Sequence, residues 1–206
     1  MYIPKHYLMT DRNEAIAFMK AYSFAAVVTS KDDLPSVTHI PIVVSEENGE
    51  LVFTGHFSKA NKQWQEMESE KVLVVFSEPH AYISPQHYDG ELNVPTWNYI
   101  AIHAYGKGEL ITEPETAFST LREMINTYEK TYEMQWDAMP EEYKRKMLNG
   151  IVCFRITITD LQAKKKLSQN KKETERERIV TALENGNDNA ERTIASFMKQ
   201  NEAQLK

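Results

Sequence analysis

The sequence predicts a mainly β protein with helices, of the α+β class. Three observations predict it. Asn48-Gly49 lies between VVS and LVFTG, and both residues tolerate positive φ, the strongest hairpin signal in the chain. Two long stretches, Asn98 to Leu110 and Ile151 to Leu161, alternate their side-chain character with the period of a strand. Helical signals fall before, between and after these β-prone runs rather than alternating with each of them.

In chain order, Met1 to Leu8 reads as an extended or frayed terminus. Asp11 and Glu14 have the spacing of a capping box and open a helix carrying Ile16, Phe18 and Met19, ending near Tyr22. Phe24 to Ser30 is a strand, closed by a turn at Lys31-Asp32-Asp33. Pro35 to Val44 is the next strand. Pro41 lacks an N–H there, which argues for an edge or a bulge. After the Asn48-Gly49 hairpin the returning strand ends at Gly55, and Ser58 is placed to cap a helix with Lys59, Ala60, Asn61 and Lys62 in its first turn. Val72 to Ser77 is a continuous apolar strand, expected to be buried on both faces. Thr112 and Glu115 are spaced to start a helix with the stripe Ala117, Leu121, Met124, Ile125, Tyr128 and Tyr132. A more polar helix runs from about Pro140 to Asn149, closed by Asn149-Gly150. After the strand ending at Leu161 come Lys164, Lys165, Lys166, Lys171 and Lys172, the most basic patch of the chain. Asn170 and Glu173 then open one helix to about Glu184, and Asp188 with Glu191 opens the last. The seam of this pair is Ile179, Val180, Leu183, Ile194, Phe197 and Met198.

Two places point to a ligand. The stretch Pro79 to Gly108 holds Tyr82, Tyr88, Trp97, Tyr99 and Tyr105, three prolines, and His80, His87 and His103. Planar rings beside a stiffened backbone suit a flat conjugated ligand; they also suit a small barrel core. On the strand from Asn98, Tyr99, Ala101, His103 and Tyr105 share one face and Ile100, Ile102 and Ala104 the other. The second place is the Ser58 segment, where a hydroxyl, lysines and the free N–H groups of a helix start make a ready anion site; equally, Ser58 only caps the helix and the lysines are solvated. The dipole contributes only about 0.3–1 kcal/mol of the roughly 8 kcal/mol that a micromolar ligand needs, so the lysines and ring stacking must supply most of it.

Composition removes several function classes. The formal net charge of −6 means that nucleic-acid binding needs locally concentrated positive charge. The Lys164 to Lys172 cluster is the better candidate for the DNA backbone, with a solvated face or a contact to a phosphate as its competitors. The last helix carries only Arg192 and Lys199, few for a recognition helix. Cys153 is the single cysteine, so an internal disulfide and a Cys-rich zinc site are excluded. The six histidines match no standard metal spacing. Neither G-x-S-x-G, G-x-G-x-x-G nor a Walker A motif occurs. With no N-terminal apolar region and no membrane-length run, a cytoplasmic location is the default.

The pieces MYIPKHY at Met1, HIP at His39, GHFSKANKQW at Gly55, AYISPQHY at Ala81, VPTWNYIAIHAYG at Val94 and KLSQN at Lys166 occur in order, nearly end to end. In these the chain resembles the PaiB-type regulators, described as FMN-binding negative transcriptional regulators. It departs from the family pattern at His87, where a tryptophan is expected, and at Lys59, where arginine is common. The second change loses a bidentate phosphate fork and keeps the charge. The resemblance implies an FMN-binding split β-barrel with a C-terminal helical extension, residues 1–165 and 166–206, working as a homodimer with FMN at the subunit interface. It implies Ser58, Lys59 and Asn61 at the FMN phosphate, Thr38 and His39 along the isoalloxazine, and Trp97, Asn98, Tyr99 and Gln169 closing the site. It implies control of degradative-enzyme and sporulation genes, with DNA as a further candidate partner. The alternative is a flavin-dependent oxidoreductase of the pyridoxamine-phosphate-oxidase-like class, with His56 or His103 as proton donor; a third class is an FMN-free interaction module.

Overall fold

The computed structural model describes residues 1–68 and 71–205. Its elements are α1 (Arg12–Ala21), β1 (Phe24–Lys31), β2 (Leu34–Pro41), β3 (Val43–Glu47), β4 (Glu50–Ser58), β5 (Lys71–Phe76), β6 (His80–Ile83), β7 (Thr96–Ile111), α2 (Pro114–Tyr128), α3 (Glu133–Ala138), α4 (Glu141–Leu148), β8 (Ile151–Lys166), α5 (Glu173–Glu184) and α6 (Asn189–Leu205). Short 3₁₀ turns lie at Lys5–Tyr7, Lys62–Glu66, Pro85–His87 and Lys130–Tyr132. The eight strands form one sheet in the order β2-β1-β5-β7-β8-β4-β3, with β6 on β7. The sheet keeps two edges, so it is not closed, and the helices α5 and α6 follow its last strand.

The turns are where local chemistry placed them. Asp32 and Asp33 have φ of 52° and 62° between β1 and β2, and Asn48 and Gly49 have 52° and 86° between β3 and β4. Pro41 ends β2 on the sheet edge, where its missing N–H breaks no ladder. Asp11 caps α1 by accepting from the N–H groups of Asn13 at 2.8 Å and Glu14 at 3.3 Å.

Five expectations are corrected, four of them here. No helix starts at Ser58: β4 continues through Ser58, which pairs with Ile151, and the N–H of Lys59 donates to Gly150 O at 2.9 Å. With that backbone spent on the β8 ladder, the next turn is the 3₁₀ segment Lys62–Glu66, capped by Asn61. β5 is buried on one face only, through Val72, Val74 and Phe76. α2 begins at Pro114 rather than after Thr112, because proline at the first helical position has no N–H to satisfy and a preset φ. β8 runs on to Lys166, extended by a bridge between Leu8 and Lys164 and by the Met9 N–H donating to Ala163 O at 3.0 Å.

The chain divides into two compact units. Unit 1 comprises 1–15, 77–102 and 162–206, and unit 2 comprises 16–76 and 103–161. The core of unit 2 is Val27, Phe53, Phe57, Val72, Val74, Phe76, Phe154 and Ile156, all at most 1% exposed. Phe53 meets Phe76 edge-on at 5.5 Å and Phe57 meets Phe154 at 5.0 Å. Burying each such side chain contributes about 1.5–3 kcal/mol. Gly106 sits so close to β8 that a Cβ there meets Thr157 O at 2.4 Å, which requires glycine. In unit 1 the seam of α5 and α6 is Ile179, Leu183, Ile194 and Met198, all buried, with Val180 and Phe197 half-buried. The start of α5 differs from the expected Asn170–Glu173 pair: Glu175 accepts from the Lys172 N–H at 3.1 Å.

Candidate functional site

In unit 2 the segment after β4 is a rigid turn bearing free charge. Asn61 accepts from the Gln63 N–H at 3.1 Å, and its Nδ2 donates to Thr38 Oγ1 at 2.8 Å. The Thr38 hydroxyl donates to Gln63 Oε1, and Gln63 Nε2 donates to Val27 O at 2.9 Å and Ser36 O at 3.1 Å. Gln63 is 5% exposed, so these bonds are made away from water and hold the turn against β1 and β2. Glu66 adds two more contacts, accepting from Thr29 Oγ1 at 2.6 Å and Ser36 Oγ at 3.2 Å. Trp64 Nε1 donates to Lys59 O at 3.2 Å, pinning the turn from its other side.

On this fixed backbone Ser58, Lys59 and Lys62 are exposed, and among the described residues neither lysine has a carboxylate partner. The Ser58 hydroxyl accepts from the Ala60 N–H at 3.4 Å, which leaves its own proton to donate. Behind Ser58, on the same face of β4, Thr54 Oγ1 and His56 Nδ1 are buried without a hydrogen-bond partner. Burial holds the His56 imidazole below its ordinary pKa, so it is neutral at pH 7. Two free cations, a hydroxyl and a row of unmet polar atoms form a donor set that fits a phosphate and a polar ring edge. Thr38 is therefore joined to Asn61, whereas its neighbour His39 lies on the other face of β2, exposed and stacked on Phe24 at 6.5 Å.

In unit 1 the aromatic face of β7 is not core. Trp97 is 51% exposed and meets Tyr82 and His80, each at 5.8 Å, and Tyr82 is itself 48% exposed. Tyr99 is half-buried with the Lys164 ammonium 5.0 Å from its ring centre. Ile100, Ile102 and Ala104 fill the interior instead. Asn98 is fully buried: it accepts from Ser168 Oγ at 3.1 Å, and its Nδ2 contacts Met198 Sδ at 3.5 Å. Gln169 closes its own loop, accepting from the Leu167 N–H at 2.7 Å and donating to Lys165 O at 2.6 Å, around Ser168 with φ of 62°. Asn98 and Gln169 thus shape this region, while Trp97 and Tyr99 present rings.

The basic cluster is largely consumed by the fold. Lys164 is 7% exposed and donates to Tyr2 O at 3.3 Å, and Lys165 pairs with Glu14 at 2.7 Å. Lys166 donates to Thr96 Oγ1, Lys171 donates to Asn93 Oδ1 at 3.0 Å, and Lys172 pairs with Asp89 at 3.0 Å. On α6, Arg192 donates to Gly186 O at 2.6 Å and Lys199 pairs with Glu184. Gln63 escaped the sequence reading altogether. Its only signal was its place in KANKQW, and its role depends on Val27 and Ser36, far away in the chain.

The family model described as "Putative FMN-binding domain" matches residues 1–160. The chain belongs to this family. FMN is the cofactor for which the family is named. The chain is 39% identical over 202 residues to "Protease synthase and sporulation protein PAI 2" of Bacillus subtilis, covering 97% of each chain, so it is PaiB-like. An uncharacterized protein of Saccharomyces cerevisiae is 31% identical over 136 residues, which is 55% of this chain and 80% of that one. Two solved structures share the fold. An FAD and heme binding protein from Mycobacterium smegmatis has a TM-score of 0.61 at 13% identity, covering 78% of this chain and 73% of that one. The flavocytochrome Anf3 from Azotobacter vinelandii has a TM-score of 0.56 at 17% identity, covering 80% and 72%. Among the described residues no helix is long and apolar enough to cross a membrane, and no three potential metal ligands cluster.

Proposed function

We propose that this protein is an FMN-holding homodimer that lowers production of degradative enzymes and represses sporulation genes in the cytoplasm. The observation that carries the cofactor part is the rigid turn with two uncompensated lysines, Lys59 and Lys62, beside the Ser58 hydroxyl. Ser58, Lys59 and Asn61 hold the FMN phosphate, with Asn61 acting chiefly by fixing the turn. Thr38 runs along the isoalloxazine edge with its side chain, and His39, whose ring is on the opposite face of β2, adjoins it through its backbone. Trp97 and Tyr99, contributed by the second copy, cover the ring, and Asn98 with Gln169 keep them in place. Residues 1–165 are the flavin domain and 166–206 its helical extension. Bound FMN supplies an electron-accepting ring; the residues of the chain bind and orient it.

Association is supported by the edge strand β2 and its neighbour, where Leu34 is 71%, Phe24 66% and Val37 53% exposed. The regulatory part rests on the 39% identity to the sporulation protein. Because the lysines of the basic cluster are engaged, contact of the dimer with DNA is weak and salt-sensitive. A second reading, a flavin oxidoreductase, is favoured by one observation: the unmet, neutral Nδ1 of His56, a ready proton relay. Absorption spectra of the purified protein with and without added FMN, with gel filtration alongside, test the proposal. A flavin spectrum on a species of two copies supports it; a colourless protein eluting as one copy refutes it. Bleaching of the bound flavin by NAD(P)H selects the enzyme reading.

A further inference from the structure

We propose that unit 1 contains a second binding site, a cavity for a small molecule bearing an oxyanion, made by Tyr7, Tyr88, Lys166, Lys171 and Asn170. The cavity has a volume of about 200 Å³ and lies wholly among residues of unit 1. That is below the roughly 300–1,000 Å³ of sites that take drug-sized ligands, so its occupant is small.

Its charge is lopsided. Lys166 and Lys171 both line it and no carboxylate does. Their neighbours in the basic cluster are neutralised, Lys165 by Glu14 and Lys172 by Asp89. Lys166 and Lys171 instead form no ion pair among the described residues: Thr96 Oγ1 and the Tyr7 ring contact the first, Asn93 Oδ1 and the Tyr88 ring at 3.6 Å the second, and the Glu175 carboxylate acts on Lys171 only through space. Burial, together with the charge of Lys164, makes the ammonium of Lys166 harder to keep protonated, a cost that an anion removes.

A second, independent feature points the same way. Tyr88 is 8% exposed and its hydroxyl is buried with no hydrogen-bond partner among the described residues. Burial, and then the nearby Glu175, hold its pKa above the ordinary value, so the group remains an O–H donor in search of an acceptor. Glu175 does not supply that acceptor: its carboxylate accepts from the N–H groups of Asp89 at 3.0 Å and Lys172 at 3.1 Å. Tyr7 donates to Asn170 Oδ1 at 3.2 Å and can turn the same hydroxyl to a guest. Two ammoniums and a phenolic donor without an acceptor match the oxygens of a carboxylate or phosphate group.

The site is tested by thermal unfolding of the full chain with sodium acetate, sodium phosphate, or acetamide, at ionic strength fixed with sodium chloride. We expect a saturable rise in Tm with acetate, phosphate or both, the stronger response naming the oxyanion, and none with acetamide. Tyr88→Phe leaves the Tm of the unliganded protein unchanged or higher, since its hydroxyl has no bond to lose, and weakens the response about three- to tenfold. Lys171→Met weakens it by at least about tenfold. In Lys59→Ala any phosphate response from the Ser58 turn is lost, and the response that remains, still sensitive to Tyr88→Phe, belongs to this cavity, which separates it from the flavin assignment. A response equal to that of chloride, or one undiminished in Tyr88→Phe, overturns the proposal and assigns the cavity to water.

Discussion

The lysines after β4 and those at the end of β8 are the same side chain put to opposite uses. Among the described residues Lys59 and Lys62 have no carboxylate partner, on a turn whose backbone is fixed by Gln63 and Trp64. Lys164, Lys165 and Lys172 belong to a denser basic run, yet each is buried or bonded within the fold. Charge that a linear sequence displays is not charge that a partner can use. On the proposed reading the sparser place is the phosphate site, because among the described residues its cations have no carboxylate partner and its scaffold is already ordered.

The largest expected effect comes from breaking that scaffold. Gln63→Leu removes the bonds to Val27 O, Ser36 O and Thr38 and leaves buried groups unmet; denaturant unfolding should show a loss of about 2–4 kcal/mol. Next, Lys165→Met leaves Glu14 partly buried and unpaired, for a loss of about 1 kcal/mol. The double change Lys59→Ala with Lys62→Ala should alter stability by less than about 0.5 kcal/mol, because among the described residues neither ammonium has a carboxylate partner to lose. Equal losses from the two sets of lysines would erase the distinction between them.

Titration gives a smaller, signed effect. Burial lowers the pKa of His56 from 6.5, and burial lowers that of His103 as well. Below pH 6.5 the unfolded chain therefore binds protons that the folded chain excludes, so stability is full above that pH and declines as pH falls from 7 toward 5. His56→Gln should make this decline shallower in urea unfolding at stepped pH. Smallest of all, Cys153 is 2% exposed with its thiol pushed up to about 11 by burial, so the native protein at pH 8 should react with a thiol reagent far more slowly than the denatured chain.

What could be read from the sequence follows the range of the forces involved. Asp32-Asp33 and Asn48-Gly49 were legible because positive φ is a property of the residues themselves. The two faces of β7 were legible because strand period is local, although whether Tyr99 faced core or ligand was not. Pro114 carried a start signal for α2 that outranked the Thr112–Glu115 spacing. Ser58 misled because its backbone is claimed by Ile151 and Gly150, residues roughly ninety positions away. The AKKK run at 163–166 misled for the same reason: β8 continues through it and turns Lys164 inward. At the candidate site the residue types Ser58, Lys59 and Asn61 were legible, but the support from Gln63 was not.

The central claim is that the free lysines beside Ser58 grip a phosphate. Fluorescence titration of FMN against riboflavin, which lacks the phosphate, measures this in the wild-type chain and in Lys59→Ala. The account predicts that the wild type prefers FMN by at least about tenfold and that Lys59→Ala loses most of that preference. Equal affinity for the two flavins in the wild type, or an undiminished preference in the variant, would contradict it.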